Sequence, residues 1–117
     1  MKALIIDDEE DICFLLSGLL LKKNMQSSYA NSIAEAKMLL EKSSPEIIFL
    51  DNHLPDGKGV DFAPHIKKNY PGVKLVMITA FDTATDRKLA LSQGVDYFIA
   101  KPFTTEKIYQ TLEHLHD

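Results

Sequence analysis

Acidic, hydroxyl and ammonium side chains directly follow four of the apolar runs in this 117-residue chain. These residues are Asp7 with Asp8, Asp51, Thr79 and Lys101. An aspartate carboxylate can form an aspartyl-phosphate, and hydroxyl and ammonium groups can stabilise the charge on a transferring phosphoryl group. The residue types therefore predict phosphoryl chemistry, with Asp51 as the acceptor.

The apolar runs themselves are typical of buried strands. A central strand over 46–51 contains four large apolar residues in succession (IIFL), which indicates burial on both faces of a parallel sheet. Further runs predict strands at 2–6, 73–78 and 97–100. The more polar stretch 26–30 predicts a strand at the edge of the sheet.

Apolar residues at helical spacing predict a helix after each strand. The first helix is predicted over 10–23, the fourth over about 83–92 and the fifth over 104–116. Ser32 is predicted to cap the second helix, in a capping box completed by Glu35.

Five strands alternating with five helices predict a doubly wound α/β domain around a parallel sheet. We predict the flavodoxin-like strand order 2-1-3-4-5, in which the first and third strands are neighbours. Their carboxyl ends would then bring Asp7, Asp8 and Asp51 together at the edge where such sheets bind ligands.

Three carboxylates at one edge repel one another unless one is protonated or a cation lies among them. Oxygen ligands beside an open cleft suit Mg²⁺, which commonly shares a phosphate oxygen. The sequence therefore predicts Mg²⁺ as a cofactor, with Lys101 as a counter-ion of Asp51. The Thr79 hydroxyl is expected to donate to a phosphoryl oxygen.

Composition and charge narrow the function classes. The net charge of −4 and the lack of a basic stripe argue against direct nucleic-acid binding by this chain. No apolar run has transmembrane length and no signal-peptide pattern is present, so we expect no membrane association. The single cysteine, Cys13, cannot form an internal disulfide and suits a reducing, cytoplasmic compartment.

Four motifs occur in the order found in one known family: they are Asp7-Asp8, Asp51, Thr79-Ala80 and Lys101-Pro102-Phe103. The set resembles the receiver domain of bacterial two-component response regulators over essentially the whole chain, 1–117, with no output domain. The resemblance implies a phosphorelay in which Asp51 takes a phosphoryl group from a sensor histidine kinase or a histidine phosphotransfer protein. Thr79 and Lys101 would bind the phosphoryl oxygens.

The resemblance also implies a set of metal ligands. Asp8, Asp51 and the backbone carbonyl of His53 would bind Mg²⁺ directly, and Asp7 would bind it through water. Beyond phosphorylation from its donor and autodephosphorylation, no conventional enzymatic activity is implied.

A switch is implied by the same resemblance. Phe98 stands at the position of an aromatic residue that rotates inward when the threonine, here Thr79, moves. The changed surface would comprise the fourth helix, the fifth strand and the fifth helix. It would contact an output domain, a downstream protein or a second copy in a homodimer.

Two further positions are implied to set the dephosphorylation rate, namely His53 and Phe81. Because Phe81 is bulky, we predict that it shields the phosphoryl group from water. The peptide bond between Lys101 and Pro102 is implied to be cis.

Three alternative functions remain open on the sequence. A Mg²⁺-dependent phosphohydrolase acting through an aspartyl-phosphate usually carries a second acid shortly after the nucleophile, where this chain has His53. A flavodoxin-type cofactor binder would need a first loop rich in glycine and hydroxyl groups, and here that loop is acidic. A degenerate receiver would act as a constitutive interaction module.

Overall fold

A computed structural model describes residues 1–80 and 83–116 of the chain. The strands are β1 (Lys2–Ile6), β2 (Gln26–Ala30), β3 (Ile47–Asp51), β4 (His53–Leu54), β5 (Gly57–Lys58), β6 (Lys74–Thr79) and β7 (Tyr97–Ala100). The helices are α1 (Glu10–Leu21), α2 (Ile33–Lys42), α3 (Gly59–Asn69), α4 (Ala84–Ser92) and α5 (Thr105–His116).

The main sheet has five parallel strands in the order β2-β1-β3-β6-β7. Since β6 and β7 are the fourth and fifth predicted strands, the flavodoxin-like order is confirmed. The short strands β4 and β5 pair with each other as an antiparallel hairpin. This hairpin was not predicted, because strands of two residues are too short to show a periodic pattern.

Burial of β3 on both faces places it at the centre of the domain. Every residue of this strand is buried. Ile48 and Leu50 pack in the cluster that includes α2, α3 and α4, whereas Ile47 and Phe49 pack in the cluster that includes α1 and α5. The sheet therefore forms the middle of three layers, with helices covering both of its faces and loops at the ends of its strands.

The first helix ends earlier than predicted because the chain turns sharply after Leu21. Asn24 adopts a left-handed conformation with φ of 61°. The N–H of Met25 then donates to the carbonyl of Leu20 at 3.0 Å, which closes the helix end and directs the chain into β2.

The second helix is capped by Ser32, as predicted, but the capping box is modified. The Ser32 hydroxyl accepts from the N–H of Glu35 at 3.1 Å. The Glu35 carboxylate accepts from the N–H of Asn31 at 2.7 Å, one residue before the position that a capping box requires.

None of the helices in residues 1–80 and 83–116 has the length and apolarity needed to cross a membrane.

Candidate functional site

The carboxyl ends of β1 and β3 bring three aspartates together. The parallel register pairs Ile6 with Leu50, so Asp7 lies beside Asp51 at the same edge of the sheet. Each of Asp7, Asp8 and Asp51 places one carboxylate oxygen in a group in which all three atoms lie within 4.8 Å of one another. Asp7 is 2% exposed and Asp51 is 5% exposed, whereas Asp8 faces solvent. The cluster is thus buried on one side and open on the other.

The ammonium group of Lys101 is shared among the acids of this cluster. Its Nζ donates to Oδ2 of Asp7 at 2.9 Å and lies 3.7 Å from Oδ2 of Asp51. Glu9 is also near, at 3.8 Å from Nζ. The sequence predicted Lys101 as the counter-ion of Asp51, whereas the hydrogen bond is formed with Asp7. Lys101 therefore supplies one positive charge for two buried carboxylates.

The electrostatics of the site leave Asp51 short of compensating charge. Burial and the neighbouring charge of Asp7 raise the pKa of Asp51 against the opposing effect of Lys101, and the net result is a rise from 3.8 to about 6. Burial alone would lower the pKa of Lys101, but its hydrogen bond to Asp7 and the charges of the surrounding acids outweigh that effect and raise it. A cation placed among the aspartates would relieve the repulsion that remains.

Thr79 ends the strand next to Asp51. It is the last residue of β6 and is buried. The register pairs Thr79 with Ala100, and its carbonyl accepts from the N–H of Lys101 at 2.8 Å. The structure therefore brings the hydroxyl-bearing residue and the lysine to adjacent strand ends on the edge that holds the aspartates.

The loop after Asp51 wraps closely around the strand end. The backbone N–H of His53 bonds to the Asp51 carboxylate and opposes the rise in its pKa. An added Cβ at Gly59 would collide with the backbone carbonyl oxygen of Asp51. No sequence pattern reveals that the start of α3 approaches β3 so closely that only glycine fits.

Phe98 lies inward, beneath a cation from α4. Its side chain is 9% exposed and belongs to the core cluster on the α2, α3 and α4 side of the sheet. The guanidinium carbon of Arg87 lies 5.1 Å from the centre of the ring. This cation–π contact was not predicted, because the spacing of two residues on different elements gives no sign of it.

The peptide bond between Lys101 and Pro102 is cis, as predicted, and Phe81 lies outside the described residues.

The fold and the acidic edge are those of a receiver domain. The family model of the response regulator receiver domain matches residues 3–113, and the chain belongs to this family. Domains of this family are phosphoacceptor switches of two-component systems.

Curated relatives support the same assignment. The chain is 36% identical to the response regulator protein PilR of Pseudomonas aeruginosa over 101 residues, which is 86% of this chain and 23% of PilR. It is 31% identical to the transcriptional regulatory protein BasR of Escherichia coli over 118 residues, which is 98% of this chain and 52% of BasR. The chain thus spans about half, or less, of these relatives.

Solved structures agree in fold. A two-component response regulator from Clostridium difficile superposes with a TM-score of 0.93 at 29% identity, covering 97% of this chain and 93% of that one. The beryllofluoride-activated NtrC4 receiver domain dimer superposes with a TM-score of 0.91 at 32% identity, with the same coverage.

Proposed function

We propose that this chain is a cytoplasmic phosphoacceptor in which Asp51 receives a phosphoryl group from a sensor histidine kinase or a histidine phosphotransfer protein. The convergence of three aspartate carboxylates within 4.8 Å, beside the ammonium of Lys101, is the observation that carries this proposal. Such an arrangement pairs a nucleophilic carboxylate with groups that neutralise the charge of the incoming phosphoryl group.

The donor set fits Mg²⁺. It consists of hard oxygen ligands beside a solvent-facing opening, which Mg²⁺ prefers. Asp8, Asp51 and the backbone carbonyl of His53 would bind the ion directly. As the resemblance to receiver domains implies, Asp7 would act through water; its two carboxylate oxygens also accept hydrogen bonds, from Glu9 N–H and from Lys101. When bound, Mg²⁺ supplies positive charge that draws phosphoryl oxygens to the site and lowers the repulsion among the acids.

The nucleophile in the transfer is the carboxylate of Asp51. One carboxylate oxygen forms the new O–P bond while the P–N bond of phosphohistidine breaks, and the imidazole nitrogen leaves with the electron pair. Lys101 and the hydroxyl of Thr79 would bind the oxygens of the phosphoryl group. For Lys101 this is an exchange of partners, from the Asp7 carboxylate to the more highly charged phosphoryl group.

The output would be a change in the surface formed by α4, β7 and α5. A groove of about 530 Å³ lies on this surface, lined in part by Arg87, Phe98, Phe103 and Lys107. Thr79 and Phe98 would act as the switch, with phosphorylation favouring the inward ring. Leu91 of α4, which is exposed, also lines this groove. The surface would bind an output domain, a downstream protein or a second copy of the chain.

The test is the intact mass of the protein after incubation with acetyl phosphate and Mg²⁺. The wild-type chain and an Asp61→Asn control are expected to gain one phosphate-sized adduct. The Asp51→Asn variant should gain none, and no adduct should form on any of the chains when EDTA replaces Mg²⁺. Asp61 is a suitable control because it is an exposed acid on α3. Beryllofluoride should in addition shift the NMR signals of Thr79 and Phe98. A wild-type chain with neither adduct nor shifts would overturn the proposal in favour of a constitutive interaction module.

A further inference from the structure

One short segment, residues 31–34 at the start of α2, contacts both loops that carry the acidic cluster. The side-chain amide of Asn31 donates to the backbone carbonyl of Asp7 at 2.9 Å. The backbone N–H groups of Ile33 and Ala34 donate to the two carboxylate oxygens of Asp56 at 2.8 and 3.0 Å. The loop after β1 and the loop after β3 are therefore tied to the same few residues.

We infer that Asp56 is a positioning residue for the metal site, with Asn31 as its counterpart on the other loop. By anchoring the tip of the β4–β5 hairpin to the start of α2, Asp56 fixes where the backbone carbonyl of His53 points. This inference rests on the proposed Mg²⁺ site, and it assigns the two tethers a role in setting the affinity of that site.

The hairpin is short enough for its tip to control its base. His53 pairs with Lys58 and Leu54 pairs with Gly57, so that only two residues separate the paired strands. Asp56 is one of these two residues and lies three positions after His53. Because a hairpin with only two paired positions is marginally stable by itself, loss of the anchor at its tip would let the His53 carbonyl move.

A second contact at the tip supports the same role. Gly57 adopts φ of 154°, and an added Cβ there would lie 2.9 Å from Cδ1 of Ile33. The hairpin tip is thus seated directly against the first residue of α2. Both a hydrogen-bonded contact and a close packing contact hold it in place.

The bonds to Asp56 are more than an ordinary helix cap. The helix already has its own cap in Ser32, whose hydroxyl accepts from the N–H of Glu35. Asp56 comes from a different part of the chain, 23 residues from Ile33. Its carboxylate satisfies two of the N–H groups that every helix start leaves unpaired, and its charge is favoured by the helix dipole.

The other tether acts on the opposite side of the cluster. The carbonyl of Asp7 accepts from Asn31, while the N–H of Asp7 donates to the carbonyl of Ala30 at 3.0 Å. Asp7 therefore keeps one backbone anchor when Asn31 is removed. The Asn31 tether should matter less for metal affinity than the Asp56 tether.

The test is a calorimetric titration of the full chain with Mg²⁺ at 0.15 M ionic strength, about the physiological value. Asp56→Ala is expected to raise the Kd for Mg²⁺ about tenfold, since groups that orient metal ligands typically affect affinity on that scale. Asn31→Ala is expected to raise it by a smaller factor. The matched control is Asp61→Ala, which removes an equal charge from the groove that Asp56 also lines, and it should change the Kd less than about twofold.

Amide hydrogen exchange in EDTA provides a readout independent of metal. In Asp56→Ala, amide exchange should become faster at Ile33 and Ala34 and at residues 53, 54, 57 and 58 of the hairpin, while the amides of β3 remain protected. If the hairpin amides become exposed but the Kd equals that of wild type, the position of the hairpin does not matter and the inference is refuted. Should Asp56→Ala fail to fold, Asp56→Asn keeps one acceptor oxygen and is expected to give an intermediate Kd. A wild-type chain that binds no Mg²⁺ would refute both the proposed metal site and this inference. If the wild type binds Mg²⁺ and only the effect of Asp56→Ala is missing, the inference alone is refuted.

Discussion

Replacing Asp51 by Asn is expected to stabilise the metal-free fold at neutral pH. Burial and, next, the charge of Asp7 raise the pKa of Asp51 from 3.8 to a net value of about 6. Because the folded state binds this proton more tightly than the unfolded chain does, the associated stability is fully present below the unfolded value. It is lost as the pH rises through about 6.

The magnitude follows from the same values. At about 1.4 kcal/mol per pKa unit, the difference between 3.8 and about 6 corresponds to about 3 kcal/mol of lost stability at pH 7. Asn resembles the protonated carboxyl group in shape and carries no charge. Asp51→Asn should therefore recover about 3 kcal/mol at pH 7 and almost nothing below pH 4, where wild-type Asp51 is itself protonated.

Urea unfolding in EDTA, followed by circular dichroism at pH 7 and at about pH 4, measures this difference. The matched control, Asp61→Asn, changes an exposed acid and should alter the free energy of unfolding by less than about 0.5 kcal/mol. Added Mg²⁺ should narrow the gap by stabilising the wild type. An Asp51→Asn variant that is no more stable than wild type at pH 7 would refute the claim that burial and Asp7 penalise the ionised Asp51.

Three other substitutions probe the site and the loops around it. Lys101→Met removes the ammonium that hydrogen-bonds to buried Asp7, so the free energy of unfolding at pH 7 should fall by about 3 kcal/mol; a fall below about 1 kcal/mol would contradict the importance of this pair. Gly59→Ala should destabilise by about 2 kcal/mol in urea unfolding because its Cβ meets backbone, whereas Gly72→Ala, with nothing within 4 Å of the added Cβ, should be nearly neutral. Phe81→Ala is expected to shorten the lifetime of the phosphorylated form, followed as loss of the phosphate adduct by mass spectrometry; an equal or longer lifetime would exclude shielding by this ring.

Much of the fold could be predicted because buried parallel strands leave a strong local signal. Four large apolar residues before Asp51 have few alternatives to a strand covered on both faces. The side-by-side arrangement of the first and third strands is that of the flavodoxin-like order, one of the two common orders of such α/β domains. For this reason the convergence of Asp7, Asp8 and Asp51 could be predicted from the sequence, and the structure brings their carboxylates within reach of one cation.

Contacts between distant loops could not be predicted in the same way. Asp56 stands among turn-forming residues, and nothing in its surroundings indicates that its carboxylate reaches the first turn of α2. Lys101 Nζ lies 2.9 Å from the Asp7 carboxylate and 3.7 Å from that of Asp51, so its hydrogen-bond partner is decided by a difference of less than 1 Å. Sequence spacing specifies which strand ends are neighbours, but it does not specify distances at that scale.

Of the two ends of the proposed switch, Phe98 has the arrangement proposed for the phosphorylated chain and Lys101 does not. Phe98 is inward, in contact with the Arg87 guanidinium, while Lys101 donates its hydrogen bond to Asp7. An inward ring is therefore compatible with the Lys101–Asp7 pair, and exposure of Phe98 alone is a poor measure of activation. A phosphoryl group can shift the population of the output surface only through contacts that differ between its states. The proposed exchange of Lys101 from Asp7 to the phosphoryl oxygens would be such a difference, so spectroscopic assays of activation should follow Lys101 and Thr79 as well as Phe98.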